Sequence, residues 1–381
     1  MNCEKLVAKI DELKDEYIRI WEDVCNIESP TDHKPGVDAV GNYFVEMAEA
    51  RGWQVEISRQ EVAGNAVCIT MNPDVDAPAV VFSAHMDTVH PLGSFGTPAV
   101  HKDEEKIYGP GVLDCKSGAV ASFLAMDAMD QCGFRGRPVK LILQSDEESN
   151  STVSGGKTVE FMLEKAKGAV AFLNAEDFAK KVVLARKGIL RLRFDVSGRA
   201  VHSARCDAGA SAIAEAAHKL LELEKLKDKD GLTCNCGVIR GGTAANAVPD
   251  SCTFVADIRF ANEEEYRRVL QLGQSIADTV YVPGCSCVMS KESYRPPMED
   301  VPRNHELLAA INAIYREKGF PELEASKSYG GSDAAYVTAA GIPCVDSIGP
   351  SGGGIHSLKE FAYLESLPAA AKRLALVACY L

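Results

Sequence analysis

Five short stretches of this 381-residue chain carry side chains suited to cations and water. His85-Met-Asp87 ends one apolar run, and Asp114 closes the turn Tyr-Gly-Pro-Gly-Val-Leu-Asp. Glu147-Glu148 follow a second run, Glu176 follows a third, and His356 sits in Gly-Gly-Gly-Ile-His-Ser. Each has an ordinary explanation alone: a core histidine, a helix-capping aspartate, a solvated pair of glutamates. Gathered at one edge, two imidazoles and three or more carboxylates would repel strongly. A pair of divalent cations resolves the repulsion. Nitrogen and oxygen donors of this kind suit zinc best, with Co2+ or Mn2+ as alternatives. Asp87 can orient His85 and fix its tautomer. Neighbouring side chains at a strand end point in opposed directions, so one glutamate can bind metal while the other faces water. Cations lower the pKa of water, and a base must still take its proton and pass it to a leaving amine. That chemistry is hydrolysis of an amide.

The elements around these residues place them together. Residues 79–84, 139–144, 169–175 and 343–348 are short apolar runs that stop abruptly in polar residues. Helical spacing fills 4–26, with Leu6, Ile10, Leu13, Tyr17, Ile20 and Trp21 on one face, and continues at 36–51, 117–131, 155–166 and 332–340. Apolar runs alternating with helices predict an α/β fold, a mixed and mainly parallel sheet with helices on both faces. In such sheets ligands gather at the carboxyl ends of the strands. Residues 189–196 and 252–260 instead alternate with period two, as strands with one wet face do. The order strand, helix (209–225), strand (232–239), strand, helix (262–281), strand (286–290) is the βαββαβ pattern of a ferredoxin-like α+β unit. The expected organisation is a metal-binding domain from 1–187 and 295–381, with 188–294 inserted.

Composition narrows the function classes. A formal net charge of -13 argues against a nucleic-acid partner, which requires a basic footprint. No apolar run reaches the roughly 18 residues of a membrane-spanning helix. The N-terminus is charged and amphipathic, without a signal-peptide core. Thirteen cysteines, an odd number in a long chain, do not read as a disulfide framework, so a cytoplasmic location is expected. Cys234-x-Cys236 and Cys285-x-Cys287 read as buried small residues of strands rather than metal ligands.

The motifs resemble those of the zinc amidohydrolase family of glutamate carboxypeptidases, acetylornithine deacetylases, succinyl-diaminopimelate desuccinylases and aminoacylases. The resemblance spans essentially the whole chain and is closest to the glutamate carboxypeptidases. It is carried by Ser-Ala-His85-Met-Asp87-Thr, Gly-Pro-Gly-Val-Leu-Asp114-Cys-Lys-Ser-Gly, Asp-Glu147-Glu148-Ser, Tyr-Gly-Gly-Ser-Asp333-Ala-Ala-Tyr and Gly-Ile-His356-Ser, in the family's order. It implies two zinc ions per subunit. His85, Asp114 and Glu176 would hold one, and Asp114 would bridge to a second held by Glu148 and His356. Glu147 would be the general base and Asp87 the orienter of His85. The inserted domain would be a lid and dimerisation domain. Its His202 would reach the partner subunit's active site of a homodimer and stabilise an oxyanion. Asn246 would contact substrate, and Arg295 would grip a substrate carboxylate. The implied substrate is a small peptide or N-acyl amino acid, cleaved next to a free carboxylate with release of a C-terminal amino acid such as glutamate. Deacylation of an N-acyl amino acid is the alternative, and a catalytically silent binding protein a remote one.

Two departures stand out. The segment after His202 lacks the family's usual Gly and Pro pattern, and Glu176 is followed by Asp177, which competes as the ligand. Two other motifs lead elsewhere. Gly349-Pro-Ser351-Gly-Gly353 fits G-x-S-x-G, but a nucleophile elbow needs a helix next, where glycine and His356 follow. Ser-Gly-Gly156-Lys157-Thr158 lacks the first glycine of a phosphate loop, since position 151 is Ser.

Overall fold

A computed structural model describes residues 1–227 and 231–381. The chain forms two compact units, Met1–Ala185 with Asp300–Lys327 and Ser332–Leu381, and Arg186–Glu299 with Ser328–Gly331.

The first unit is built on a six-stranded sheet. Its order is Gln54–Ser58, Ala66–Met71, Val139–Gln144, Val80–His85, Ala171–Asn174, Cys344–Val345. The three pairings at the Val80–His85 side are parallel, and the two at the other end are antiparallel. Every residue of Ala66–Met71 and Val80–His85 is buried, so both faces of the sheet are covered. The helix Lys116–Gln131 is buried along nearly its whole length and packs against Cys3–Asn26, Ser366–Tyr380 and the Val80–His85 strand. All six residues on the apolar face read from the first helix are buried. Tyr17 and Arg51 both donate to Asp127 at 2.6 Å, a buried polar tie between that helix, the Lys116–Gln131 helix and the segment after Lys34–Glu49.

Several element boundaries differ from those read in the sequence. The run 343–348 forms only the two-residue strand Cys344–Val345. Beyond it Asp346 makes a single bridge to Val183, and Ser347 takes φ 58°, which a continuing strand forbids. Helix 332–340 shrinks to Ala334–Ala339, and 209–225 to Ala212–Leu223, whose N-cap Ser211 accepts from the amide of Ala214. Strand 286–290 extends through Arg295 across a bulge. Among the described residues, no helix is long and apolar enough to cross a membrane.

The second unit has four antiparallel strands ordered Thr233–Gly241, Ser251–Phe260, Gly188–Ser197, Ser286–Arg295. With helices Ala212–Leu223 and Glu263–Asp278 this is the ferredoxin-like arrangement. Alternate residues Leu190, Leu192, Phe194 and Val196 pack with Phe254, Ala256 and Ile258 in a dry core. Between the helices, buried Lys219 pairs with Glu215 at 2.9 Å and donates to carbonyls at the end of Glu263–Asp278, while Glu215 accepts from Tyr281 and Val282.

Candidate metal centre

His85 is the last residue of its strand, so the parallel ladder delivers the imidazole to the carboxyl edge of the sheet. Its Nδ1 lies 2.9 Å from the carbonyl oxygen of Asp87 and 3.4 Å from the Asp87 carboxylate, leaving Nε2 for the site. Asp87 is fully buried and does more than orient that ring. Its carboxylate accepts the backbone amides of Glu147 and Glu148, both at 3.1 Å, and the Thr31 hydroxyl at 2.7 Å. One aspartate therefore fixes the ends of two neighbouring strands. The two glutamates lie in the short 3-10 turn Glu147–Ser149, not on a strand. The expected opposition of strand-end side chains is thus replaced by turn geometry held from Asp87.

Asp114 stands between two imidazoles. Its Oδ1 is 3.0 Å from His85 Nε2 and its Oδ2 is 3.1 Å from His356 Nε2. Glu176 Oε1 is 3.7 Å from His85 Nε2, and Glu148 Oε2 is 3.3 Å from His356 Nε2. Candidate ligand atoms of His85, Asp114 and Glu148 lie within 4.8 Å of one another, as do those of His85, Cys115 and Glu176. Among the described residues, Asp177 enters neither cluster. Cys115 is an extra donor that sequence reading left unassigned. Burial, then Glu176, raises its thiol well above the ordinary value, and it donates to the Ala175 carbonyl at 3.3 Å.

The backbone is shaped around this cluster. His356 adopts φ 60°, an uncommon conformation for a side-chain-bearing residue, three residues after two-residue strand Gly352–Gly353. Gly118 and Gly349 both abut the Ala175 carbonyl, where an added Cβ would sit 2.1 and 2.2 Å from the oxygen. Only glycine allows the first turn of the Lys116–Gln131 helix and the 349 loop to close on the residue before Glu176. Glu360 is a positioning residue that the sequence reading missed. It is buried, accepts the amides of Leu113 and Asp114 at 2.9 and 3.0 Å, and meets His90 Nε2 at 2.9 Å. It follows His356 by only four residues, a spacing that could have flagged it. Lys116 is also buried, donates to the carbonyls of Ile27 and Val24, and has its pKa lowered by burial.

The electrostatics explain what the cluster requires. Burial pushes the Glu176 carboxyl well above its usual range, with Asp114 and Glu147 adding to the shift against the pull of His85. Burial likewise raises Glu148 to about 7, opposed by its hydrogen bond with His356. Burial also disfavours the Asp114 carboxylate, but hydrogen bonds from His356 and His85 outweigh it and hold that carboxyl low. Burial opposes charge on His85, yet bonds to Asp114 and Asp87 raise its pKa well above normal. Asp114 and Glu148 raise His356 to about 10. The described ion pairs of these five residues run among themselves and to Asp87. The acids are balanced by imidazolium alone, with no lysine or arginine, and this donor set fits divalent cations.

Three further candidates lie in the second unit. His202 is exposed, its Nδ1 accepts from the Ala204 amide at 3.2 Å, and it bridges Ala247. The Ser203 amide donates to the carbonyl of Asn246, so the His202 and Asn246 loops are joined. Asn246 is exposed. Arg295 is 2% exposed at the end of its strand, and its Nη1 passes so close to Gly331 that a Cβ there would lie at 2.9 Å. The G-x-S-x-G stretch enters strand Gly352–Gly353 rather than a helix, and Ser351 donates to the Phe178 carbonyl at 2.9 Å, so no nucleophile elbow exists.

Comparison with known proteins identifies the family. The model of peptidase family M20/M25/M40 matches residues 81–379. The chain belongs to that family. It is accordingly a metal-dependent hydrolase of the metallopeptidase and amidohydrolase class. Carboxypeptidase G2 of Pseudomonas sp. (strain RS-16) is 27% identical over 361 residues, 92% of this chain and 86% of that protein. Acetylornithine deacetylase of Myxococcus xanthus is 30% identical over 65% of this chain and 67% of its own length. Among solved structures, a tripeptidase from Staphylococcus aureus superposes with TM-score 0.77 at 19% identity, covering 96% of this chain and 97% of that one. A dinuclear metal-binding peptidase of the M20 family from Bacillus subtilis gives TM-score 0.70 at 16% identity, covering 97% and 98%. These superpositions establish the shared fold.

Proposed function

We propose that this M20 member is a dinuclear zinc hydrolase that cleaves an amide or peptide bond beside a free carboxylate, in the manner of a carboxypeptidase. The observation that carries the reading is Asp114, whose two carboxylate oxygens face two different imidazoles at 3.0 and 3.1 Å. His85, Asp114 and Glu176 would hold one ion, and Asp114, Glu148 and His356 the other. Co2+ or Mn2+ would serve as well, since the donors are nitrogen and oxygen. When bound, such ions supply Lewis acidity and lower the pKa of water. The position of Glu176 beside His85, rather than Asp177, supports Glu176 as the ligand.

Glu147 is the general base. Its carboxylate takes the proton of the attacking water and returns it to the departing amine. The Asp87 carboxylate fixes the amides of Glu147 and Glu148 and so sets where both side chains begin. His202 would donate to the oxyanion of the partner subunit's substrate, with Asn246 on the joined loop contacting the same molecule. Arg295 would hold the free carboxylate. A homodimer is supported by the edge strand Thr233–Gly241, which exposes Val238 and Ile239, and by exposed Ile213 and Leu221 on the helix Ala212–Leu223. The second reading, deacylation of an N-acyl amino acid, rests on the likeness to acetylornithine deacetylase.

The test is Glu147→Gln in zinc-loaded protein. Turnover of a peptide and N-acyl amino acid panel should fall by about 100- to 10,000-fold while metal content stays at the wild-type level. Retention of most of kcat would remove the base. His202→Ala should lower kcat more than it raises KM, and an unchanged kcat would remove the trans role.

A further inference from the structure

A cavity of about 550 Å³ opens beside the metal-ligand cluster within the first unit. Val89, Pro91, Leu92 and Val153 give it an apolar wall, and Asp32 and Glu148 are the only ionisable side chains among its described lining residues. Among the described residues, no lysine or arginine lines it. Glu148 is the carboxylate that meets His356, so the cavity and the cluster share a wall.

A second observation points the same way. Apart from Met1, Val62 and Tyr363, the exposed large apolar side chains described in this unit are Val89 at 41%, Leu92 at 52%, Ile355 at 42% and Leu358 at 64%. Val89 and Leu92 flank His90, and Ile355 and Leu358 flank the loop that carries His356. The His90–Glu360 hydrogen bond at 2.9 Å ties those two loops together. Apolar surface left open to water costs free energy and, when concentrated at a polar site, marks where a ligand supplies the missing cover.

Building on the amide-hydrolase reading, we propose that this cavity binds the acyl half of the substrate and that this half is apolar and uncharged. A carboxylate placed against Val89, Pro91, Leu92 and Val153 would lose its water with no lysine or arginine among the described lining residues to pair with, at a cost set by desolvation. The carboxylate-bearing half therefore lies on the other side of the scissile bond. Branched aliphatic or aromatic acyl groups fit, whether as N-acyl amino acids or as peptides with an apolar N-terminal residue. A succinyl group does not.

The experiment uses zinc-loaded full-length protein and one amino acid carrying acetyl, 3-methylbutanoyl, phenylacetyl or succinyl groups. kcat/KM should rise about tenfold or more from acetyl to the two apolar acyl groups, and succinyl should be the poorest member. Leu92 is half-exposed, so Leu92→Lys should fold normally. It should cut the apolar substrates about tenfold and improve succinyl, so that the ranking across the series reverses. Thermal shifts with free 3-methylbutanoate and free succinate give the same ranking without turnover. Hydrolysis with no dependence on the acyl group, a preference for succinyl in the wild type, or a Leu92→Lys effect equal across the series would overturn the subsite while leaving the hydrolase intact. So would loss of dimer in Leu92→Lys with unchanged acyl preference, which would make this rim a subunit contact. Failure to hydrolyse any amide with zinc bound would overturn the hydrolase reading and the subsite with it.

Discussion

Charges are handled in opposite ways on the two sheets. On the wet face of the four-stranded sheet, Arg191 and Arg259 pair with Asp257, and Arg193 pairs with Asp195, a ladder of opposite signs. At the edge of the six-stranded sheet, the described ion pairs of His85, Asp114, Glu148, Glu176 and His356 run among themselves and to Asp87, with no lysine or arginine. The first pattern is what a solvated face needs and contributes little to stability. The second holds several carboxylates with burial raising Glu148 and Glu176, a costly arrangement unless positive charge enters. The contrast separates acids that serve the fold from acids gathered for a ligand.

Substitutions sharpen that contrast, beginning with the largest effect. Asp114→Ala should abolish tight metal binding and activity together, a loss beyond the about 10- to 100-fold in affinity that an outer partner of a metal ligand costs. Metal analysis after dialysis would show it, and wild-type metal content would break the assignment. Asp87→Asn, which weakens the hold on His85, Glu147 and Glu148 without removing a ligand, should fall within that about 10- to 100-fold window in titrations with zinc. A third change concerns the fold of the first unit alone. Burial disfavours the Asp127 carboxylate, but hydrogen bonds from Arg51, Tyr17 and Gln131 outweigh it and lower its pKa. A depressed carboxyl adds stability that is present above the ordinary carboxylate range and is lost as pH falls through the lowered value. Asp127→Ala should therefore cost about 2–4 kcal/mol at neutral pH, and urea denaturation should show the gap narrowing as pH falls below the ordinary carboxylate range. An unchanged gap would show that packing, not charge, accounts for the loss. At the small end, Arg193→Ala on the wet ladder should leave Tm unchanged, since an exposed pair is screened by solvent.

Much of this was legible in the sequence because two periodicities differ. Continuous apolar runs such as 139–144 and alternating ones such as 189–196 announce a doubly covered sheet and a half-wet one, and both sheets formed. Polar residues at the ends of the apolar runs signalled the site, because a parallel sheet brings such ends to one edge. Other features depend on contacts distant in sequence. Nothing in the Asp87 segment announces that its carboxylate holds amides 60 and 61 residues away. Glu360 accepts amides some 246 residues before it, and its partner His90 lies 270 residues away. The strand expected at 343–348 failed for a local reason, since the chain turns at Ser347 to bring the 349 loop against Ala175. The apolar cavity was illegible because Val89, Leu92 and Val153 have no periodicity of their own.

The most direct test of the dinuclear centre is calorimetric titration of the chelator-treated chain with zinc, alongside Asp114→Ala. Two equivalents bound by the wild type, and neither held tightly by the variant, is the predicted result. A wild type that takes up no zinc, or a variant that binds two equivalents as tightly as the parent, would contradict the account.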